Sequence, residues 1–206
     1  MSDTAKRQST EVSVAAIVLA AGRATRMGSQ KLLLPLQGRP ILTWAVDAAL
    51  GSAVGGAYVV VGHEAEAVTA ALGDRPVTVV TNPDYGLGMS TSLQAGLRAA
   101  GATRDAVIFL LGDQPFVTSA LLDRLIDRFA ETGSMVVRPV VGDKPANPVL
   151  MSAVLFPEIF AQRGDVGGRE IVDKHRDDVC LIPVDDPLVA VDIDTAQDYA
   201  AVGERT

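Results

Sequence analysis

Short apolar runs rich in β-branched residues alternate along this chain with segments whose apolar residues recur at helical spacing. The runs are "AAIVLAA", "AYVVVG", "PVTVVTN", "AVIFLLGD" and "MVVRPVV", and between them lie "ILTWAVDAALGS", "EAEAVTAALG", "STSLQAGLRAAG" and "SALLDRLIDRFAETG". Continuous apolar runs of this length predict strands buried on both faces. Each helical segment ends near a glycine, a common stop signal. Strand–helix alternation predicts an α/β fold, a mostly parallel sheet with helices on both faces. In such sheets ligands bind beyond the carboxyl ends of the strands. After Pro139 the pattern loosens. "NPVLM" reads as a short strand with a helix following from about Ser152, "GDVGGREIVDKH" as a loop and short helix, "DVCLIPVDD" and "LVAVDID" as late strands, and "TAQDYAAVG" as a closing helix capped by Thr195.

The 206 residues, 48% of them hydrophobic, suit one domain with a sizeable core. Residues 1–11 are polar and read as a loose tail, with a single domain over 12–206 and no signal peptide or membrane span. The one cysteine, Cys180, lies in "VCLIPV" and reads as a buried structural thiol; a chain without disulfides fits a reducing, cytoplasmic setting. A net charge of −7 argues against a nucleic-acid binder.

Against that acidic background the first strand runs into a glycine-rich turn carrying cations, "LAAGRATRMGSQKLLLPLQGRPIL". Arg23, Arg26 and Lys31 at a strand's carboxyl end repel one another unless an anion arrives. Gly22 lets backbone N–H groups approach a phosphate closely. The spacing is neither a Walker A loop nor G-x-G-x-x-G, so the loop reads as a phosphate site of another kind or as a turn with solvated arginines. Asp113 in "VIFLLGDQP" stands just past a buried strand. It reads either as a turn aspartate capping the helix near Thr118 or as a ligand for Mg²⁺ (Mn²⁺ as the alternative), and the neighbouring cationic loop favours the metal. On a strand Asp192 and Asp194 share a face, although one of them could simply cap the last helix. Ser90, Thr91 and Ser92 open a helix where N–H groups and hydroxyls favour an anion, with one of the three expected to act as cap. His63 and His175 read as structural residues at helix ends.

These stretches together resemble the MobA-like nucleotidyltransferases, whose opening signature is LAAG-x-S-x-RMG-x-x-K-x-L-L-P. "TNPDYGLGMSTSLQAGL", "LLGDQPFVT", "GDVGGREIV" and "VDIDTAQDY" resemble further segments of the same family, from about Val14 to Val202. The most similar branch is the cytidylyltransferases that join CMP to molybdopterin, the molybdenum cofactor. The chain departs from the pattern at Ala24, Ala146, Gly168 and Ala196. The resemblance implies a three-layer Rossmann-like nucleotidyltransferase fold. It implies Arg26, Lys31 and Asp113 as catalytic residues, and Leu19, Ala20, Ala21, Gly22, Asn82 and Gly112, with Arg26 and Lys31, around the nucleotide. It places the acceptor near Ser90, Ser92, Asn147 and Arg169, with Asp165 in reach, and Mg²⁺ on Asp113 and Asp194. Ala21, where a guanylyl-transferring branch carries glycine, implies CTP. The implied substrates are CTP and molybdopterin, and the implied partner is a molybdenum hydroxylase of the xanthine dehydrogenase type or its maturation factor. Use of GTP, another phosphorylated acceptor, and a cofactor-carrier role are the alternatives.

Overall fold

The structure, a computed structural model, describes residues 12–22 and 30–203. Strands are β1 (Val14–Ala20), β2 (Pro35–Leu36), β3 (Arg39–Pro40), β4 (Ala57–Val61), β5 (Thr78–Thr81), β6 (Ala106–Leu111), β7 (Val136–Val141), β8 (Lys144–Pro145), β9 (Val149–Ser152) and β10 (Val179–Pro183). Helices are α1 (Ile41–Leu50), α2 (Ala65–Leu72), α3 (Met89–Ala100), α4 (Ser119–Thr132), α5 (Phe156–Ala161), α6 (Arg169–Lys174) and α7 (Ala196–Gly203). The main sheet runs β10-β7-β9-β6-β1-β4-β5, with β8 folded back on β7. Its pairings are parallel except those made by β8 and β9; β9 is antiparallel to both neighbours, β6 and β7. The small β2–β3 hairpin stands apart.

Period-two alternation sorts β1 between two cores. Val14, Ala16, Val18 and Ala20 join one cluster with α1, α2 and α4, through Leu42, Val46, Leu72, Leu122 and Leu125. Ala15, Ile17 and Ala21 join the other with α3, α5 and α6, through Leu97, Ile159 and Ile171. A Cβ on Gly96 of α3 would stand 2.4 Å from Ile17 Cγ2, so that helix lies against the sheet at a distance only glycine permits. A third cluster, Leu36, Ile41, Ile193 and Val202, ties the hairpin to α7. The glycine stops are all C-caps, at Gly51, Gly73, Gly101 and Gly133.

Two strand expectations are corrected. β5 is not buried on both faces: it is the sheet's edge, and Val79 is 37% exposed. The stretch "LVAVDID" is not a strand. It forms a 3₁₀ turn over Pro187–Ala190 and then an unpaired extended segment, because both flanks of β6 are already taken by β1 and β9. Among the described residues no helix is long and apolar enough to cross a membrane.

Candidate active site

The carboxyl ends of β1 and β6 meet at one edge of the sheet, where Gly112 N–H donates to the Leu19 carbonyl at 3.0 Å. A side chain on Gly112 would press on Leu42 and on that same carbonyl at 3.0 and 3.1 Å. The absence of one lets the turn after β6 close tightly and set Asp113 on the rim. The Asp113 carbonyl then accepts from Ile193 N–H at 3.2 Å. Ile193 is fully buried, which anchors the extended segment and leaves Asp192 and Asp194, on either side of it, facing the cleft. The sequence expectation that these two acids share a face therefore holds without a strand to impose it.

Lys31 opens a 3₁₀ turn whose Leu32 is buried. Its ammonium donates to Asp113 Oδ2 at 2.5 Å and to Asp194 Oδ1 at 2.7 Å. Residues 82 and 163 positions away in sequence thus share one cation. Burial is the largest single influence on Lys31 and by itself lowers its pKa; the Asp113 carboxylate, aided by Asp194, outweighs it and holds the pKa above its ordinary value. Burial, together with the Asp113 charge, raises the pKa of Asp192, opposed by a hydrogen bond from Gln114. That bond, Gln114 Nε2 to Asp192 Oδ1, is 2.5 Å long, and Gln114 is 2% exposed.

Lys31, Asp113, Asp192 and Asp194 line a cleft of about 660 Å³. Leu19, Ala20, Ala21, Gly22, Lys31, Ser92, Asp113, Asp165, Asp192 and Asp194 are all on its wall. Arg23 and Arg26 lie outside the described residues. Asn82 is buried away from the cleft wall, and its amide staples a loop: it donates to Thr91 Oγ1 and Ser92 Oγ at 2.9 and 3.0 Å, and its Oδ1 accepts from Asp84 N–H. Ser90 is also buried, and its hydroxyl has no hydrogen-bond partner among the described residues. Asn147 and Arg169 are off the cleft wall; Arg169 is 88% exposed and paired with Asp173 at 3.7 Å.

The expected hydroxyl cap on α3 is absent. Thr91 instead donates to the Gly88 and Asp84 carbonyls. The cap comes from the loop before α6: Asp165 Oδ1 accepts from Met89 N–H and the Gly164 carbonyl from Ser90 N–H, each at 3.2 Å. Thr118 caps α4 through Leu121 N–H, so Asp113 has no capping duty there. Thr195 and Asp198 form a reciprocal cap at α7, and Asp198 also accepts from Asp194 N–H. His175 ends α6 as expected and pairs with Glu158 at 2.8 Å. Sequence reasoning missed Gln114, whereas the loop "NPDYGLGMSTSL", which the family resemblance implies shapes the nucleotide and pterin pocket, supplies the wall residues Tyr85, Leu87 and Met89, none of them singled out from the sequence. The signal for the last three was the glycine-spaced "DYGLGM".

The donor set fits a hard divalent cation. Asp113 Oδ1 is buried and without a hydrogen-bond partner among the described residues. Those residues contain no cluster of three His, Cys, Asp or Glu side chains able to hold a metal on their own. Two carboxylates completed by substrate phosphates is the manner in which Mg²⁺ is usually held.

The sequence profile of the MobA-like NTP transferase domain matches residues 16–192. GlmU of Sinorhizobium fredii, a bifunctional protein, is 37% identical over 136 residues, which are 65% of this chain and 29% of that one. The chain therefore spans under a third of the length of that relative. The nicotine blue oxidoreductase of Paenarthrobacter nicotinovorans is 32% identical, over 89% of this chain and 93% of its own. Among solved structures, Rv0371c of Mycobacterium tuberculosis superposes with a TM-score of 0.84 at 30% identity, covering 95% of this chain and 100% of that one. The same protein in complex with manganese gives 0.82 at 29% identity, with the same coverage. A nucleotidyl transferase of Methanothermobacter thermautotroptrophicus, Mth528, gives 0.79 at 30% identity, covering 94% and 97%.

Proposed function

Because the chain belongs to the MobA-like NTP transferase family, and so is an enzyme of nucleotidyltransferase type, we propose that it joins CMP from CTP to the phosphate of molybdopterin and releases pyrophosphate. The observation that carries the reading is the single ammonium held between Asp113 and Asp194 at the carboxyl edge of the sheet. A cation and two acids gathered from distant segments are the parts a triphosphate and its metal need.

An oxygen of the acceptor phosphate attacks the α-phosphorus of CTP. The new P–O bond forms as the bond to the bridging α–β oxygen breaks, and pyrophosphate departs with that oxygen. The attacking phosphate monoester is largely ionised near neutral pH, so the step needs no strong base. The protein contributes positioning and fixed charge. Lys31 moves from the two carboxylates to the leaving phosphates, where negative charge builds. Gly22 and its neighbours hold those phosphates by backbone N–H groups, and Arg26 adds a second cation on the sequence argument alone. Asp113 and Asp194 are the residues that would hold Mg²⁺, with Mn²⁺ as an alternative. Bound there, the ion supplies Lewis-acid neutralisation of phosphate charge.

The choice of CTP rests on Ala21, a residue of the cleft wall, where a glycine would leave more room for a purine. The choice of acceptor rests on an apolar lip. Leu87 and Met89, 68% and 42% exposed, stand on the cleft wall beside Tyr85. Such a lip suits a flat heterocycle better than a sugar phosphate. The product's destination is a molybdenum hydroxylase, and the setting cytoplasmic. The oxidoreductase named among the relatives suggests redox chemistry, but the chain has no G-x-G-x-x-G fingerprint, and the Lys31–acid arrangement has no task in hydride transfer.

The test incubates the purified protein with molybdopterin, Mg²⁺ and each NTP in turn and measures pyrophosphate and the dinucleotide product, with NAD(P)H consumption as a control. CTP-dependent product is expected. Faster GTP use overturns the base assignment. Turnover with a sugar 1-phosphate but not with molybdopterin overturns the acceptor. Cofactor binding at one equivalent without pyrophosphate release favours a carrier.

A further inference from the structure

Gln114 follows Asp113 in the turn after β6 and is 2% exposed. The turn fixes its backbone: its N–H donates to the Leu111 carbonyl at 3.3 Å, and its carbonyl accepts from Val117 N–H at 3.5 Å. Its side-chain Nε2 donates to Asp192 Oδ1, while its Oε1 is buried with no hydrogen-bond partner among the described residues. An orphaned buried amide oxygen destabilises a fold, and methionine or leucine would fill the same space without one. Gln114 is thus costly to the fold, and its side chain serves an acid on the cleft wall. The transfer step makes no use of it.

The bond to Asp192 is one of a pair. The Asp113 carbonyl accepts from Ile193 N–H at 3.2 Å, so two consecutive residues of the β6 turn clasp two consecutive residues of the late segment. Asp192 is thereby held beside Asp113, and the charges of Asp113, Asp194 and Lys31 all act on it. Asp113, Asp192 and Asp194 nevertheless do not form a set of three able to hold a metal ion. Asp192 therefore stands next to the seat of the ion but outside its direct ligands. Gln114 occupies one oxygen of that carboxylate and leaves the other to accept. A Mg²⁺ ion held by two carboxylates and substrate phosphates keeps several waters, and their protons need acceptors around the ion.

We propose that Gln114 is a positioning residue: it fixes Asp192 beside the Asp113–Asp194 pair, so that the second carboxylate oxygen of Asp192 accepts from the hydration shell of the divalent ion. This rests on the reading of Asp113 and Asp194 as the metal site and gives Asp192 a task distinct from theirs. Metal affinity then depends on a buried amide that touches neither metal nor substrate.

The test titrates Mn²⁺ alone, followed by the spin-resonance signal of the free ion, into the wild type, Gln114→Met, Asp192→Asn and the double variant, with the metal-free Tm of each. It needs neither nucleotide nor acceptor, so the choice of CTP and molybdopterin does not bear on it. Gln114→Met is expected to bind Mn²⁺ about tenfold more weakly, with a Tm equal to or above the wild type's, and Asp192→Asn to lose at least as much. The double variant is expected to match Asp192→Asn within about twofold, because Gln114 acts only through Asp192. Gln114→Leu repeats the measurement should methionine fail to fold. Unchanged affinity in the Gln114 variant beside a loss in Asp192→Asn reduces Asp192 to a charge near the ion and overturns the inference. So does a fall in Tm with a metal loss that adds in full to that of Asp192→Asn, which assigns Gln114 to holding the fold. Mn²⁺ uptake undiminished by Asp113→Asn overturns the metal site itself, and the inference with it.

Discussion

Replacing Lys31 by methionine separates the two tasks the structure gives its ammonium. That ammonium lies 2.5 Å from Asp113 and 2.7 Å from Asp194, where the proposed divalent cation would sit. A metal entering without nucleotide has to displace it. A charge-assisted hydrogen bond contributes about 1.5–3 kcal/mol, and the bond to Asp113, whose side chain is 17% exposed, takes that range. Asp194 is 46% exposed, so solvent screening reduces its share to about 0.5–1 kcal/mol. The competition is thus worth about 3 kcal/mol, or roughly 100-fold in Kd. Lys31→Met is expected to bind Mn²⁺ in the absence of nucleotide about 100-fold more tightly than the wild type, by calorimetry or by the spin-resonance signal of free Mn²⁺. Its metal-free Tm falls, and added Mn²⁺ raises its Tm by more than it raises the wild type's. Its kcat for pyrophosphate release falls by about 10²–10³, because the leaving phosphates lose a fixed cation. Metal affinity equal to or weaker than the wild type's refutes the competition argument. An unchanged kcat refutes the assignment of Lys31 to the phosphates.

Three further outcomes are expected. Gly88→Ala places a Cβ 2.3 Å from the Gly164 backbone at a φ of +113°, so the loop that caps α3 is pushed off; a loss of about 1–3 kcal/mol and a lower Tm follow, and an unchanged Tm in a melting scan refutes that packing. On the proposed reading of Ala21 as the base-selecting residue, Ala21→Gly is expected to shift the GTP-to-CTP ratio of kcat/KM toward GTP by about 10-fold or more, with an unmoved ratio placing base selection elsewhere. Hydrogen bonds from Lys174, and then from His175, hold the Glu158 carboxyl below its ordinary 4.5. A lowered carboxyl pKa stabilises the fold above the unfolded value, and the benefit disappears as pH falls through the folded one. The Tm difference between wild type and Glu158→Gln should therefore be steady above about pH 5 and close below it; a difference independent of pH removes Glu158 from that role.

Periodicity is a local property, which is why the main-sheet strands and the helices through Val141 were legible, while the two-residue strands β2 and β3 were too short to show any. Each run contains in itself the alternation or the helical spacing that assigns it, and each stop is a glycine in the same stretch. The late segments were harder because their state depended on which places in the sheet were already filled. "NPVLM" became β9 by inserting between β6 and β7, whereas "LVAVDID" lies at the end of β6, whose two flanks β1 and β9 already hold, and stayed out of the ladder. The acids of that segment still face the cleft because burial of Ile193 and one hydrogen bond to Asp113 fix its orientation. The missing hydroxyl cap on α3 has the same character, since the groups that satisfy Met89 and Ser90 come from Asp165 and Gly164, more than seventy residues away.

Sequence alone determined the α/β layering, the glycine that follows β1 and the aspartate that follows β6. All of these follow from residue types within a few positions of one another. Tertiary structure alone decided that one ammonium is shared by Asp113 and Asp194 and that Gln114 holds Asp192. Such facts depend on distances between residues far apart in the chain, and those distances are set only when the sheet orders its strands and the two cores close on either face.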